Sequence, residues 1–203
     1  MAQDAEAERD VQLDVILRSS VFEIREVARL LDALSPEARL AQVCALSRGA
    51  QAILHEAAKG ARKSVLEDLV PAAVAPLTQV VHEGRNSLPM FRRFAKVFAR
   101  PKPGARELWG YNRTNGLIRN GVGPGYFVAY EGPGDEVLID YTRVPEDRLP
   151  GWPPVLRNEA RLGRFVYAGM VDALRAVSRY VTVGRAIRNG KVQDNWFVLC
   201  RMD

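Results

Sequence analysis

The chain has 203 residues, of which 47% are hydrophobic, so it has the length of one domain and enough apolar side chains to bury a core. No apolar run reaches the length of a membrane-spanning helix, and the acidic start MAQDAEAERD predicts no secretory signal. Cys44 and Cys200 lie far apart, which predicts neither a disulfide framework nor a zinc site; we expect a cytoplasmic protein without a bound metal.

Residues 1–100 are typical of a helical region. Apolar residues recur at helical spacing from Val11 to Leu34, and Ser35-Pro36-Glu37 has the form of an N-cap followed by proline at the first helical position. Further helices are expected over 50–59 and over 65–83, where a capping box at 64–67 starts the helix and two prolines kink it.

The segment PMFRRFAKVFA, residues 89–99, predicts a basic amphipathic helix. On a helical projection its aromatic and aliphatic residues fall on one side, which we expect to be buried in the parent domain. Four basic residues fall on the opposite side, where they would be free to bind phosphate or another anion. These candidate anion-binding residues are Arg92, Arg93, Lys96 and Arg100.

The charge of the chain is unevenly distributed. The net charge is +5, and residues 85–119 contain nine basic residues and one acidic residue, Glu107. Such a segment can attract a nucleic acid or an anionic surface. The alternative is a solvated basic face whose arginines pair with acidic residues distant in sequence.

Residues 101–203 are typical of a small antiparallel sheet packed on one long helix. Strands are predicted over 126–130 and 137–142, joined by a Gly-Pro-Gly-Asp turn, and a strong amphipathic helix over about 161–179. The last two strands are joined by Asn189-Gly190, a strong signal for a tight hairpin. The predicted fold class is therefore α+β, with a helical region first and the sheet last, packed together as one unit.

Signatures of known chemistry are few. The sequence has no G-x-S-x-G motif and no Walker loop, and the glycine loop at 121–125 contains proline and precedes a strand rather than a helix. His55 and His82, the two histidines, lack neighbours at metal-ligand spacing. We therefore expect no cofactor, and we favour a non-enzymatic function.

One group of polar and aromatic residues remains as a candidate ligand-binding site. It combines a segment before the glycine loop with residues of two predicted strands, and arginine with tyrosine and asparagine suits an anionic or planar ligand. The alternative is structural, with packed aromatics, an ion pair and a turn. The candidates are Trp109, Tyr111, Asn112, Arg113, Asp140, Tyr141, Arg143 and Trp196.

The stretch 137–202 resembles the closing part of haem-nitric-oxide/oxygen-binding (H-NOX) sensor domains and their vinyl-reductase-like relatives. The residues that carry the resemblance are Asp140-Tyr141-Thr142-Arg143, Gly169 to Leu174, and Asp194 to Phe197. The resemblance implies a domain that binds small molecules or partner proteins. No histidine lies in this stretch, so haem is not predicted.

Three functions follow from these observations. The first is a ligand-sensing or protein-interaction domain that signals without catalysis and binds a small molecule or a partner protein. The second is binding of nucleic acid or an anionic surface through residues 85–119. The third is an enzyme using the Tyr111, Arg113, Asp140 or Tyr141 side chains. The apolar sides of the early helices could also support a homodimer.

Overall fold

Eight antiparallel strands form a closed barrel. The structure, a computed structural model, describes residues 12–19, 21–89, 92–113, 123–154 and 167–203. The strands are β1 (Val80–Asn86), β2 (Arg93–Ala99), β3 (Glu107–Arg113), β4 (Tyr126–Glu131), β5 (Val137–Asp140), β6 (Met170–Ala176), β7 (Val181–Arg188) and β8 (Lys191–Arg201). Each strand pairs with the next one along the chain, and β1 pairs with β8 to close the barrel.

The closed barrel overturns the predicted α+β fold, in which a small sheet packs on one long helix. Strands β1 and β2 precede residue 100 and pair with β8 and β3, so the segment predicted to be helical supplies two strands of the sheet. Closure leaves no open sheet edge among these strands, because each of them has a partner on both sides.

The predicted basic helix over 89–99 is wrong, because its described residues from Arg93 onward form β2. Strand alternation turns Phe94, Lys96 and Phe98 into the barrel, while the alanines and valine between them face outward and are also buried. When a strand is buried on both faces, its sequence does not alternate between polar and apolar residues. Periodicity alone then cannot distinguish such a strand from a short buried helix. Pairing with β1 and β3 decides the structure here.

The predicted helix over about 161–179 is also wrong within the described residues, where 170–176 forms β6. Residues 161–166 lie outside the described part of the chain. The helix-forming residues Ala and Leu of this segment are held extended by hydrogen bonds to β5 and β7. Tertiary pairing here overrides local propensity.

Both predicted hairpins are confirmed. Strands β4 and β5 pair across the Gly-Pro-Gly-Asp turn, and β7 and β8 pair across Asn189-Gly190. Asn189 has φ +49° and Gly190 has φ +76°, the two positive values that a type I′ turn requires. Asparagine and glycine are the residues that adopt this conformation most readily.

Four short helices precede the barrel in the described residues: α1 (Leu13–Arg18), α2 (Ile24–Ala33), α3 (Pro36–Ala45) and α4 (Arg48–Ala57). The predicted N-cap is confirmed, since the Ser35 hydroxyl accepts a hydrogen bond from the Ala38 amide. The helices pack outside the barrel on β1, β7 and β8, and their apolar residues share a core with Val183, Val198 and Cys200. No helix in this part of the chain is long and apolar enough to cross a membrane.

A single 3₁₀ turn, Leu66–Asp68, stands where the capping box predicted a long helix. It plugs one end of the barrel with Leu66, Leu69 and Val70. Three side chains that face the barrel interior donate hydrogen bonds to backbone carbonyl groups of residues 68–70. Arg201 donates to Asp68, His82 to Leu69 and Arg100 to Val70, each at 2.9 Å. We call this end of the barrel the plugged end.

Candidate functional site

Five polar side chains from different parts of the chain meet inside the barrel, toward the end opposite the plug. Around them the interior is largely apolar and aromatic. All five side chains are buried, and they come from β2, β3, β6 and the residues flanking β5 and β6. We call this group the Lys96 cluster: Lys96, Asn112, Tyr141, Tyr167 and Asp172.

Lys96 is the centre of the cluster. Its Nζ donates to Asn112 Oδ1 at 3.0 Å, to Asp172 Oδ2 at 3.3 Å and to the Tyr141 hydroxyl. An ammonium group has three N–H donors, so each one has an acceptor. The side chains of Lys96 and Asp172 are only 3% and 6% exposed, which makes this a fully buried ion pair.

Tyr141 and Asn112 link the ion pair to the barrel wall. The Tyr141 hydroxyl lies 3.3 Å from Asp172 Oδ2 and 3.2 Å from Asn112 Nδ2. Tyr167 stacks on Tyr141, with ring centroids 5.2 Å apart. Gly125 has φ +59°, and a Cβ there would lie 2.4 Å from the Tyr167 ring and 2.8 Å from Asn112 Nδ2. Only glycine allows the backbone to approach the cluster this closely.

Aromatic rings surround the Lys96 Nζ. The ring centroids of Phe94, Phe127, Tyr141 and Phe197 lie 5.0–5.5 Å from it, within cation–π distance. Two of these rings face glycines on the neighbouring strand, because Gly110 pairs with Phe127 and Gly184 pairs with Phe197. The glycines leave the space that the rings occupy beside the lysine.

Replacing Gly184 with alanine will therefore destabilise the barrel by about 1–3 kcal/mol, the usual effect of overpacking a core. The new Cβ would lie 2.2 Å from Phe197 Cζ, so the ring beside Lys96 must move. Chemical denaturation measures the change. Gly49→Ala in α4 is the control: its Cβ would meet nothing closer than 3.9 Å, so stability should stay equal or rise. Equal stabilities of the Gly184→Ala variant and the wild type would contradict the packing argument.

Burial governs the proton affinities of the cluster. It lowers the pKa of Lys96, an effect that the Asp172 carboxylate opposes. It raises the pKa of Asp172, against the opposing effect of Lys96. It also raises the pKa of Tyr141 well above its usual range and that of Tyr167 to about 12, so both phenols keep their protons at neutral pH. A buried lysine thus faces a carboxylate and a protonated phenol, the groups that proton transfer requires.

Two of the eight predicted ligand-binding residues, Asn112 and Tyr141, meet in the Lys96 cluster. Three others point outward from the barrel. Tyr111 packs against Tyr126 and Trp152, and the Trp109 indole N–H donates to Glu107 at 3.1 Å. Trp196 packs between the Arg48 and Arg185 guanidinium groups on the outer face of β8.

The three remaining predicted residues make local contacts on the outside of the barrel. Arg113 pairs with Glu83, and Arg143 pairs with Glu107 at 2.8 Å. Asp140 accepts hydrogen bonds from the backbone and hydroxyl groups of Thr142, which turns the chain after β5. The predicted group therefore does not converge on one site.

The predicted exposed basic stripe does not form. Lys96 and Arg100 face the barrel interior, where they are 2% and 8% exposed, whereas Arg93 lies exposed at the start of β2 and Arg92 just before it. These four residues would lie on one face only if the segment were a helix, but it forms a strand. Lys96 belongs to the cluster, and Arg100 holds the plug.

Sequence reasoning missed Asp172 and Tyr167. Asp172 lies in the segment 161–179, for which an amphipathic helix is predicted, although Met170, Asp172 and Leu174 also alternate as one strand face. Phe94, Lys96 and Phe98 follow the same pattern. In both strands a single charged residue interrupts an apolar inward face, and that is the signal that could have identified the pair.

A concave surface lies outside the barrel, between α2 and the segment around residues 61–68. It is an open cleft of about 400 Å³. Both of its acidic side chains have partners: Asp68 pairs with Arg62 at 2.8 Å, and Asp32 accepts a hydrogen bond from the Arg179 backbone amide at 3.0 Å. The Lys96 cluster is therefore the stronger candidate, because its polar groups converge in a desolvated environment.

No family model matches the chain, and neither a curated protein nor a solved structure shows significant similarity to it. Within the described residues, no three His, Cys, Asp or Glu side chains are grouped closely enough to hold a metal ion. The chemistry of the Lys96 cluster is therefore the basis on which function can be argued.

Proposed function

We propose that the protein binds a small molecule inside its barrel, at the Lys96 cluster. The observation that carries this proposal is the convergence of five polar side chains, including a buried ion pair, among the aromatic and aliphatic side chains of the barrel interior. Small-molecule sites combine apolar walls with a few convergent polar groups whose pKa values are displaced. The cluster has each of these properties.

The stability of the fold does not explain the cluster. Removing two charges from water offsets most of the attraction between them, and apolar residues of similar volume usually serve a core equally well or better. The aromatic and aliphatic residues around Phe127 and Leu174 could fill this layer without Lys96 and Asp172. A polar group retained inside such a core is consistent with recognition of a ligand.

The charge and shape of the cluster favour a neutral, planar ligand with a carbonyl group. Lys96 and Asp172 carry opposite charges, so their sum is zero and an anion would compete with Asp172 for the ammonium. Asn112 and Tyr141 each contain both a donor and an acceptor, so they can rearrange their hydrogen bonds around a carbonyl oxygen. The surrounding rings provide stacking surface.

The ligand would enter from the end opposite the plug. Leu66, Leu69 and Val70 fill the plugged end and are held there by buried side chains. Lys96 is the second inward-facing residue of β2 counted from the β1–β2 connection, so it lies roughly 7–10 Å along the strand from that end. A molecule the size of a single ring with a short polar group spans this distance.

Three probes of one skeleton test the proposal: trans-cinnamamide, trans-cinnamaldehyde and trans-cinnamate, each titrated into ¹⁵N-labelled protein and followed by NMR. We expect the two neutral probes to shift the Asn112 side-chain amide and the backbone amides of Lys96 and Asp172. The amides of 66–70 at the plugged end should not move. Cinnamate should bind more weakly, because the cluster has no net positive charge. No shift at the cluster with either neutral probe would overturn the proposal.

The other expectations from the sequence remain predictions. The barrel site does not test ligand sensing, a protein partner, a homodimer, nucleic-acid binding through 85–119 or a cytoplasmic location. Cys44 and Cys200 are both free and buried, which is compatible with a reducing compartment. Val15, Val21 and Ile53 are exposed apolar residues on or near the early helices, where a homodimer contact was expected.

A further inference from the structure

We infer that Lys96 captures an aldehyde or ketone covalently, as an imine at its Nζ. The inference rests on the proposed function, since it names the chemical class of the ligand that would occupy the same site. Three features of the structure support it: the groups that contact the amine, the proton transfers that these groups allow, and the burial of Lys96 in contrast to the exposed lysines.

The groups around the amine are those that imine formation requires. The Asp172 carboxylate, 3.3 Å from Nζ, can accept a proton from the ammonium and leave a neutral amine. The Tyr141 hydroxyl touches Nζ on another side and can donate a proton to the carbonyl oxygen. Asn112 Oδ1, at 3.0 Å, accepts an N–H and orients the nitrogen.

The reaction balances with these residues alone. Asp172 takes a proton from the Lys96 ammonium, and the nitrogen lone pair forms a bond to the carbonyl carbon. The carbonyl oxygen takes the Tyr141 proton, and the positively charged nitrogen returns one proton to Tyr141, which gives a neutral carbinolamine. Protonated Asp172 then gives its proton to the carbinolamine hydroxyl, which leaves as water as the C=N bond forms.

The product preserves the charge balance of the cluster. The protonated imine carries the same single positive charge as the ammonium, so its pairing with the Asp172 carboxylate is preserved. The aromatic rings of Phe127 and Phe197, which face the ammonium, then face the iminium instead. Exclusion of water by these rings also slows hydrolysis of the imine.

Lys96 is distinct from the other four lysines of the chain. Lys59, Lys63, Lys102 and Lys191 are all exposed, whereas Lys96 is 2% exposed. Burial lowers the pKa of Lys96, while Glu131 raises that of Lys63 through a hydrogen bond. Each unit by which the pKa is lowered raises the neutral, nucleophilic fraction about tenfold at a fixed pH below it. Burial therefore distinguishes the Lys96 amine from the four exposed lysines.

The test is reductive trapping on the wild-type protein. The full chain is incubated at neutral pH with trans-cinnamaldehyde and sodium cyanoborohydride, which reduces an iminium to a stable secondary amine. Intact mass spectrometry counts the adducts, and peptide mapping locates them. We expect a single dominant adduct, located at Lys96 and more abundant than an adduct at any of the four exposed lysines.

Matched variants separate reaction from binding. Lys96→Arg keeps a cation but has no amine that forms an imine, so the adduct should be lost, whereas Lys102→Arg should leave it unchanged. Tyr141→Phe should slow trapping because it removes the proton donor. Circular dichroism confirms that each variant is folded.

The outcomes distinguish the two proposals. If cinnamamide binds at the cluster but cinnamaldehyde gives no adduct at Lys96, or gives equal adducts on all lysines, the imine is overturned and the binding function stands. If neither neutral probe binds or reacts at the cluster, the proposed function fails as well. Binding by both probes with a selective Lys96 adduct supports both.

Discussion

Replacing Asp172 with asparagine will lower the free energy of unfolding by about 3–5 kcal/mol, the usual effect of breaking a buried ion pair from one side. Asparagine has nearly the same shape but no charge, so the Lys96 ammonium would remain buried without its carboxylate. Denaturant unfolding followed by circular dichroism measures the loss. The loss should shrink as the pH rises, because a neutral amine does not require a counter-ion.

The double variant Lys96→Met with Asp172→Leu should recover most of that stability. Removing both charges eliminates the desolvation penalty, and the apolar side chains can pack among the surrounding rings. The exposed pair of Lys63 and Glu131, 2.7 Å apart, is the control, and Glu131→Gln should change stability little. A double variant as unstable as the single one would mean that the pair stabilises the barrel, which would remove the argument for a ligand.

Lowering the pH from 7 to 4 will destabilise the protein through His82 by about 3 kcal/mol. His82 is fully buried at the plugged end, where its Nε2 faces the Leu69 carbonyl, and burial lowers the pKa of the ring to about 4. The unfolded chain has the ordinary value near 6.5, so between these values it binds a proton that the folded protein does not. The contribution of His82 to the free energy of unfolding is therefore complete above about pH 6.5 and is lost as the pH falls toward 4.

The comparison of wild type with His82→Gln isolates this effect, because glutamine keeps an N–H donor but does not titrate. The variant should be less stable at pH 7, and its free energy of unfolding should fall less steeply between pH 6.5 and 4. His55 also contributes to the decrease in the free energy of unfolding at low pH, since burial lowers its pKa to about 4 as well. Parallel pH profiles for wild type and His82→Gln would show that His82 has the same pKa in the folded and unfolded states, which would contradict the prediction.

Much of the local structure could be predicted from the sequence. The Asn189-Gly190 hairpin and the Ser35 N-cap were predicted and confirmed, because positive φ values and an unsatisfied helix amide depend on residues close together in the chain. Strands β4 and β5 were found for a similar reason, since β-branched and aromatic residues bounded by glycine turns favour strands.

The candidate site was predicted only in part. Asn112 and Tyr141 were selected as hydrogen-bonding residues, and Lys96 as a cation, but they were assigned to two unrelated surfaces. What brings them together is register: Lys96 pairs with Asn112 across β2 and β3, and Asp172 pairs with Ile139 two residues before Tyr141. No pattern within one strand specifies such a register.

The sequence by itself determined the positions of turns, caps and apolar segments, because these depend on the conformational preferences of a few adjacent residues. Tertiary structure alone decided that segments 93–99 and 170–176 are strands rather than helices. Both have residues that suit either state, and closing the sheet into a barrel buries both faces while giving every strand a hydrogen-bonded partner on each side. That closure also turns a lysine and an aspartate, 76 positions apart, toward each other in an interior from which water is excluded.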